Sequence, residues 1–156
     1  MQGIGLNFQK GRIRVTALEH TNGQTNFVSC KAITIDPDLP LPELMYRYAS
    51  HIRSTIDEFQ PEIVAARQTW ESKNLTAAVC QISPVGIAAL VCYEKGVTLK
   101  TYTPQALNQA VRFNLPKGTR PINSVDGIFG SHPPYWDDTQ RTSLLVIWRA
   151  LLEAQP

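Results

Sequence analysis

Residues 4 to 35 alternate apolar and polar side chains in three runs, cut by two short turn sequences. In "GIGLNF" the residues Ile4, Leu6 and Phe8 alternate with small or polar ones; in "RIRVTALEH" the residues Ile13, Val15 and Ala17 alternate with Arg12, Arg14 and Thr16. "FVSCKAITI" is a third β-rich run. A period of two suits a strand with one buried face. The first break, "QKG" at 9 to 11, is a turn. The second, "TNGQTN", contains Asn22-Gly23, which supplies the positive φ that a tight hairpin demands. Three strands joined by turns this short must be antiparallel neighbours, because a parallel connection needs a long crossover. The chain therefore opens with a meander, which excludes an all-helical or purely parallel fold.

The pattern then changes. "DPDLPLP" ends the meander, Pro42 suits a first helical turn, and Met45, Tyr48, Ile52, Ile56 and Phe59 recur at helical spacing up to Pro61. "EIVAA" is short and continuously apolar, as expected of a central strand with parallel neighbours. "LTAAVCQISPVGIAALVCYEKG" reads as a helix apolar nearly all round, with a kink or break expected at Pro84 and Gly86 and a stop at Gly96. "VTLKTYTP" is a further strand and "PQALNQAV" a short helix. The Pro-, Gly-, Ser- and Asn-rich stretch from Phe113 to Trp136 reads as loop. "DDTQRTSLLVIWRALLEA" closes the chain as an amphipathic helix, with Leu144, Trp148 and Leu151 in one stripe widened by Leu145 and Leu152. The expected order is β-β-β-α-β-α-β-α-α, in one α/β domain covering residues 1–156.

Composition narrows the function. At 43% hydrophobic the chain can bury one core. No unbroken apolar run approaches the roughly 20 residues that span a bilayer, and "MQGIGLNFQKGR" has no signal-peptide pattern. A cytoplasmic protein with no membrane partner is expected. Cys30, Cys80 and Cys92 are too few and scattered for a disulfide framework, and His20, His51 and His132 do not cluster with them, so no zinc site is expected. Net charge is only +2, from 15 basic and 13 acidic residues, which permits a nucleic-acid partner without demanding one. The segment from Lys95 to Arg120 is more telling. It holds Lys95, Lys100, Arg112, Lys117 and Arg120 and no acid, the nearest being Glu94.

The strand "EIVAA" runs out into Arg67 and Gln68, with Trp70 shortly after. Strand ends are where α/β proteins place their chemistry. An arginine there suits an anion, since guanidinium neither binds metal nor serves as a base at neutral pH. The surrounding "QPEIVAARQTWESKN" resembles the RuvC family of Holliday-junction resolvases. In that family a strand after a Gln-Pro turn ends in a catalytic Glu, followed by an aromatic three residues on, a Lys-Asn pair and a long Ala- and Gly-rich helix. Arg67 falls at the catalytic Glu, Trp70 at the aromatic, and Lys73-Asn74 at the pair. "GIGLNFQKGR" resembles the family's first strand, normally Gly-Ile-Asp-Pro-Gly, with Asn7 where the first catalytic Asp belongs. "TYTPQALNQAV" resembles the segment that leads into a DNA-facing helix. The final helix of the family begins with two metal-binding acids. Asp138 meets the first, and Arg141 or Thr142 stands at the second.

The resemblance implies a ribonuclease H-like fold, with a mixed five-stranded sheet flanked by helices. It implies a branched-DNA partner, and a homodimer formed through the helix at 77–93. It also implies two divalent ions held by clustered carboxylates, which activate water and stabilise the leaving oxygen. Here the residues depart from the family. Of four expected acids only Asp138 remains, Asn7 is uncharged, and Arg67 puts a cation where Mg²⁺ would sit. The family's glycine-rich stretch after the fifth strand is replaced by "RFNLPKGTRP". The expectation is a RuvC-like protein that binds branched or distorted DNA without metal-dependent cleavage and needs no cofactor. Arg67 then either contacts a phosphate or neutralises Asp138. Trp70 either stacks on an unpaired base or packs against a helix or subunit. Lys73, Asn74, Arg112, Lys117 and Arg120 are candidate DNA contacts, with solvated surface charge the alternative for the basic residues. The proline-rich "SHPPYWDD" is either a partner-binding loop or a cap over the last helix. Two other functions remain open: a protein–protein scaffold subunit of a DNA-processing or regulatory complex, and a residual Mg-dependent nuclease drawing acids from Asp138, Asp137, Asp126 and Glu19.

Overall fold

A computed structural model describes residues 1–69, 74–131 and 136–155. Five strands form one sheet, β1 (Gln2–Gln9), β2 (Arg12–Thr21), β3 (Gln24–Thr34), β4 (Ile63–Arg67) and β5 (Thr98–Tyr102), in the order β3-β2-β1-β4-β5. The first three are the antiparallel meander, and β4 and β5 add on in parallel to β1. The second turn has φ of 54° at Asn22 and 80° at Gly23, the doubly left-handed geometry of a two-residue hairpin.

The pleat divides the core in two. Ile4, Leu6 and Phe8 of β1 and Val64 and Ala66 of β4 face α1 (Leu41–Phe59) and the α2–α3 pair (Leu75–Gln81 and Ser83–Lys95). Ile63 and Ala65 face the opposite way, onto α6 (Asp138–Glu153). β4 is apolar at consecutive positions because both its faces are covered. On β1 the α6 face carries Gly3 and Gly5, and the helix lies almost on the backbone there. A Cβ on Gly5 would sit 1.9 Å from the Ser143 carbonyl oxygen, and one on Gly3 2.4 Å from Ile147 Cδ1. These glycines set how close α6 comes to the sheet.

Three expectations need correction. The apolar helix is two helices, and the break falls at Ile82 rather than at Pro84 or Gly86. Pro84 occupies the first turn of α3, where its missing N–H costs no hydrogen bond, and Gly86 lies within the helix. The stretch Leu75–Lys95 also has the length and mean hydropathy, 1.9, of a membrane-spanning helix, which a search for one unbroken apolar run does not count. Here it packs on α1 and the sheet through Cys80, Ala88, Val91 and Cys92. Finally, the supposed loop from Phe113 to Trp136 contains α5 (Pro121–Phe129), and "PQALNQAV" yields only the single turn α4 (Pro104–Leu107) before a 3₁₀ turn at Ala110–Phe113. α5 is held to α6 by a two-pronged ion pair between Arg141 and Asp126, at 2.8 and 3.0 Å.

The end of β5 is tied down as well. Tyr102 donates to Glu153 at 2.8 Å, and the buried Arg149 bonds both Glu153, at 2.5 Å, and the Ala106 carbonyl, at 3.0 Å. Burial and the Glu153 carboxylate push the Tyr102 phenol well above its ordinary range.

Candidate nucleic-acid interface

The strand period decides which residues meet at the carboxyl ends of β1 and β4. Counting by two from Gly3 and Gly5 puts Asn7 and Gln9 on the α6 face, and counting from Ile63 and Ala65 puts Arg67 there too. The parallel register pairs Leu6 with Ala66, so Asn7 and Arg67 are adjacent across the two strands. They line one pocket of about 330 Å³ together with Gln9, Gln81, Asn108 and the first turns of α6, including Asp138 and Thr142. The positions matched to the family's four acids, scattered over 130 residues of sequence, thus converge, and Thr142 rather than Arg141 faces the pocket.

Each of these side chains has a distinct state. Asn7 is 2% exposed and donates Nδ2 to the Thr139 carbonyl at 3.0 Å, tying β1 to the start of α6. A carboxylate here would present an oxygen to that carbonyl. Asp138 is bound by Arg141 at 3.0 Å, not by Arg67, and Arg141 is itself locked onto Asp126. The expectation that Arg67 neutralises Asp138 is therefore overturned: an i, i+3 neighbour on the same helix reaches the carboxylate first. The Arg67 side chain has no hydrogen-bond or ion-pair partner among the described residues. Burial lowers its pKa, and no counter-charge among the described residues answers that cost.

The residues do not fit a pair of divalent ions. Among the described residues no group of three His, Cys, Asp or Glu could hold a metal. The alternative acids are tied up in pairs and caps or lie apart from the pocket. Asp137 caps α6, accepting from the Gln140 amide at 2.8 Å, and pairs with Arg14 at 2.8 Å. Burial opposes its ionisation, but the bonds from Thr139 and Gln140, together with Arg14, prevail and hold its carboxyl below the usual value. Asp126 is likewise held low by hydrogen bonding from Arg141. Glu19 pairs in register with Gln2, at the opposite end of β1 from Asn7.

A second pocket, of about 540 Å³, shares Asn108 with the first. It gathers Arg112, Lys117 and Arg120 around the turn that replaces the family's glycine-rich stretch. All three are exposed, and none has an ion-pair partner among the described residues. Lys95, by contrast, is paired with Asp57 at 2.6 Å. Asn74 serves structure: its side chain caps α2 by accepting from the Ala77 amide at 2.9 Å. Trp70 and Lys73 lie outside the described residues, as does the middle of "SHPPYWDD". Trp136, at the end of that segment, is buried against Phe27 and donates to the Gly130 carbonyl at 2.6 Å, so this part of it acts as a cap.

The model of the crossover junction endodeoxyribonuclease RuvC family matches residues 8–116. The chain belongs to the RuvC family. The matched span stops short of Asn7 and of α6, two of the places where the site departs from the family's acids. The chain is 27% identical to RuvC of Corynebacterium glutamicum, over 97% of this chain and 72% of that protein. It is 24% identical to RuvC of Chloroflexus aurantiacus, over 71% of this chain and 68% of that one. RuvC of Thermus thermophilus, solved in complex with a Holliday junction substrate, superposes with a TM-score of 0.77 at 18% identity, covering 99% of this chain and 94% of that one. A yeast mitochondrial Holliday junction resolvase superposes with a TM-score of 0.68 at 10% identity, covering 97% and 81%. The ribonuclease H-like architecture that the resemblance implied is thus the fold of this RuvC-family chain.

The sequence reading missed Gln9, Gln81 and Asn108. Gln9 was within reach, because it lies two residues beyond Asn7 on the same strand face. Gln81 and Asn108 come from helix ends whose approach no local pattern encodes.

Proposed function

We propose that this RuvC-family chain binds branched or otherwise distorted DNA and does not cut it by two-metal chemistry. The observation that carries the proposal is Arg67, a half-buried cation whose side chain has no partner among the described residues, lining the pocket at the position matched to a catalytic Glu. A cation kept uncompensated in a pocket is suited to an anion brought by a ligand. A phosphate of the DNA backbone meets that need without a bridging metal. Arg112, Lys117 and Arg120 extend the same surface with three further donors that have no ion-pair partner among the described residues. Four phosphate contacts per protomer give a slope of log affinity on log salt of about −3 to −4.

The protein acts as a homodimer in this reading. Leu75 is 81% exposed, Leu90 52% and Tyr93 87%, all on the α2–α3 pair, which is apolar enough that a second copy would cover it. Two-fold symmetry would then present two equivalent pockets to a junction with the same symmetry.

The test is binding of the purified protein to a four-way junction and to matched duplex, at two salt concentrations, with and without Mg²⁺. Salt-sensitive, junction-preferring binding with intact strands is expected. Mg²⁺-dependent strand cleavage lost in Asp138→Asn would refute the non-cutting half. Absence of binding to either DNA would refute the whole and leave a protein–protein scaffold.

A further inference from the structure

We infer that Arg141 keeps the Arg67 pocket open to phosphate, by holding the only acid among the described residues that lines it. Arg141 acts through Asp138 and is a positioning residue, not itself a DNA contact. The inference deepens the reading of this chain as a binder of branched DNA and rests on it. Two charged side chains of opposite sign line the pocket among the described residues. Arg67 comes from the end of β4, and Asp138 from the first position of α6. They make no ion pair with each other, because Asp138 is taken by Arg141.

That pairing needs a reason. The Asp138 side chain is 79% exposed, and an exposed i, i+3 pair is weak by itself, since ordering two mobile side chains offsets most of the attraction. Here the guanidinium is ordered already. Its Nε and Nη2 fork onto Asp126 of α5 at 2.8 and 3.0 Å, and the Arg141 side chain is only 23% exposed. Nη1 is thereby held 3.0 Å from Asp138 Oδ1 with little further loss of freedom. Asp126 thus fixes the arginine, and the arginine fixes Asp138. The preceding acid, Asp137, has an arginine of its own in Arg14, at 2.8 Å. Both carboxylates at the start of α6 are answered from within the protein, and Arg67 is the charge left for a ligand.

The consequence is electrostatic. A phosphate drawn to Arg67 enters a pocket that Asp138 also lines. Like charges at short range in a partly desolvated cleft repel far more than they do in water. A freed Asp138 repels that phosphate and competes with it for Arg67. Arg141 prevents both by engaging the carboxylate from outside the pocket.

A double-mutant cycle on the full chain tests this, with fluorescence anisotropy of a labelled four-way junction at low salt and urea denaturation of every variant. Arg141→Gln is expected to weaken junction binding about tenfold. In an Asp138→Asn background the same substitution is expected to weaken it by less than about threefold, because no carboxylate is left to release into the pocket. This non-additivity separates the electrostatic role from the tie between α5 and α6, which both backgrounds lose alike. Arg141→Lys keeps a cation between the two carboxylates but not the fork, and is expected to bind within about threefold of the parent. It decides the matter alone if Arg141→Gln does not fold. Equal losses in both backgrounds, or a loss of about tenfold in Arg141→Lys, would overturn the inference while the proposed function stood. No junction binding by the parent would remove the DNA reading and the inference with it.

Discussion

Replacing Arg67 by glutamine should move stability and binding in opposite directions. The guanidinium is half-buried, its pKa is lowered by burial, and no carboxylate among the described residues offsets the cost. Glutamine is shorter, keeps a polar amide and removes the charge. The folded state loses a cation that no carboxylate among the described residues offsets, so stability should hold or rise, by up to about 1 kcal/mol given that the side chain is still partly exposed. Binding loses a charge-assisted contact to phosphate in a partly desolvated site, worth about 1.5–3 kcal/mol. That is roughly a 10- to 150-fold loss of junction affinity. The slope of log affinity on log salt should become shallower by about 1, because one counterion fewer is released. Urea denaturation gives the stability and fluorescence anisotropy at several salt concentrations gives the binding. A destabilised variant with unchanged junction affinity and unchanged salt slope would refute the argument, for Arg67 would then be a structural residue.

Other consequences are equally direct. Gly5→Ala forces a Cβ to 1.9 Å from the Ser143 carbonyl and should cost about 3 kcal/mol or more in urea denaturation; Gly86→Ala, with nothing within 4 Å, should instead gain up to about 1 kcal/mol from helix propensity. Asp137 is held ionised in the folded state by its bonds and by Arg14, so its contribution is present above the ordinary carboxylate pKa and is lost as pH falls through its lowered folded value. Asp137→Ala should therefore cost about 1–2 kcal/mol at neutral pH, and its difference from the parent should shrink in acid, as thermal melts across pH will record. Leu90→Glu with Tyr93→Glu places charge on the open α3 face and should convert the proposed dimer to a monomer in sedimentation, leaving helix content unchanged.

The sequence alone determined what depends on local physics. The alternation of Ile13, Val15 and Ala17 and the left-handed turn at Asn22-Gly23 suffice for the meander, because both are set by neighbours in the chain. The helical spacing of Tyr48, Ile52 and Ile56 suffices for α1, and the family resemblance at "QPEIVAARQTWESKN" brought Arg67 to the right strand end. α5 was legible in principle, since Pro121 stands at its first position and Ile122, Val125 and Phe129 follow at helical spacing, but the surrounding Pro and Gly residues obscured it. Tertiary structure alone decided the pairings between elements. Asp138 lies in sequence near Arg141 and far from Arg67, yet only packing α5 against α6 shows Arg141 held between Asp126 and Asp138, leaving Arg67 with neither. Likewise, the chain names Gly3 and Gly5, but only the approach of α6 gives them a reason. Partner choice between charges varies with distance across elements, and such distances are fixed by how helices seat on a sheet rather than by any run of residues.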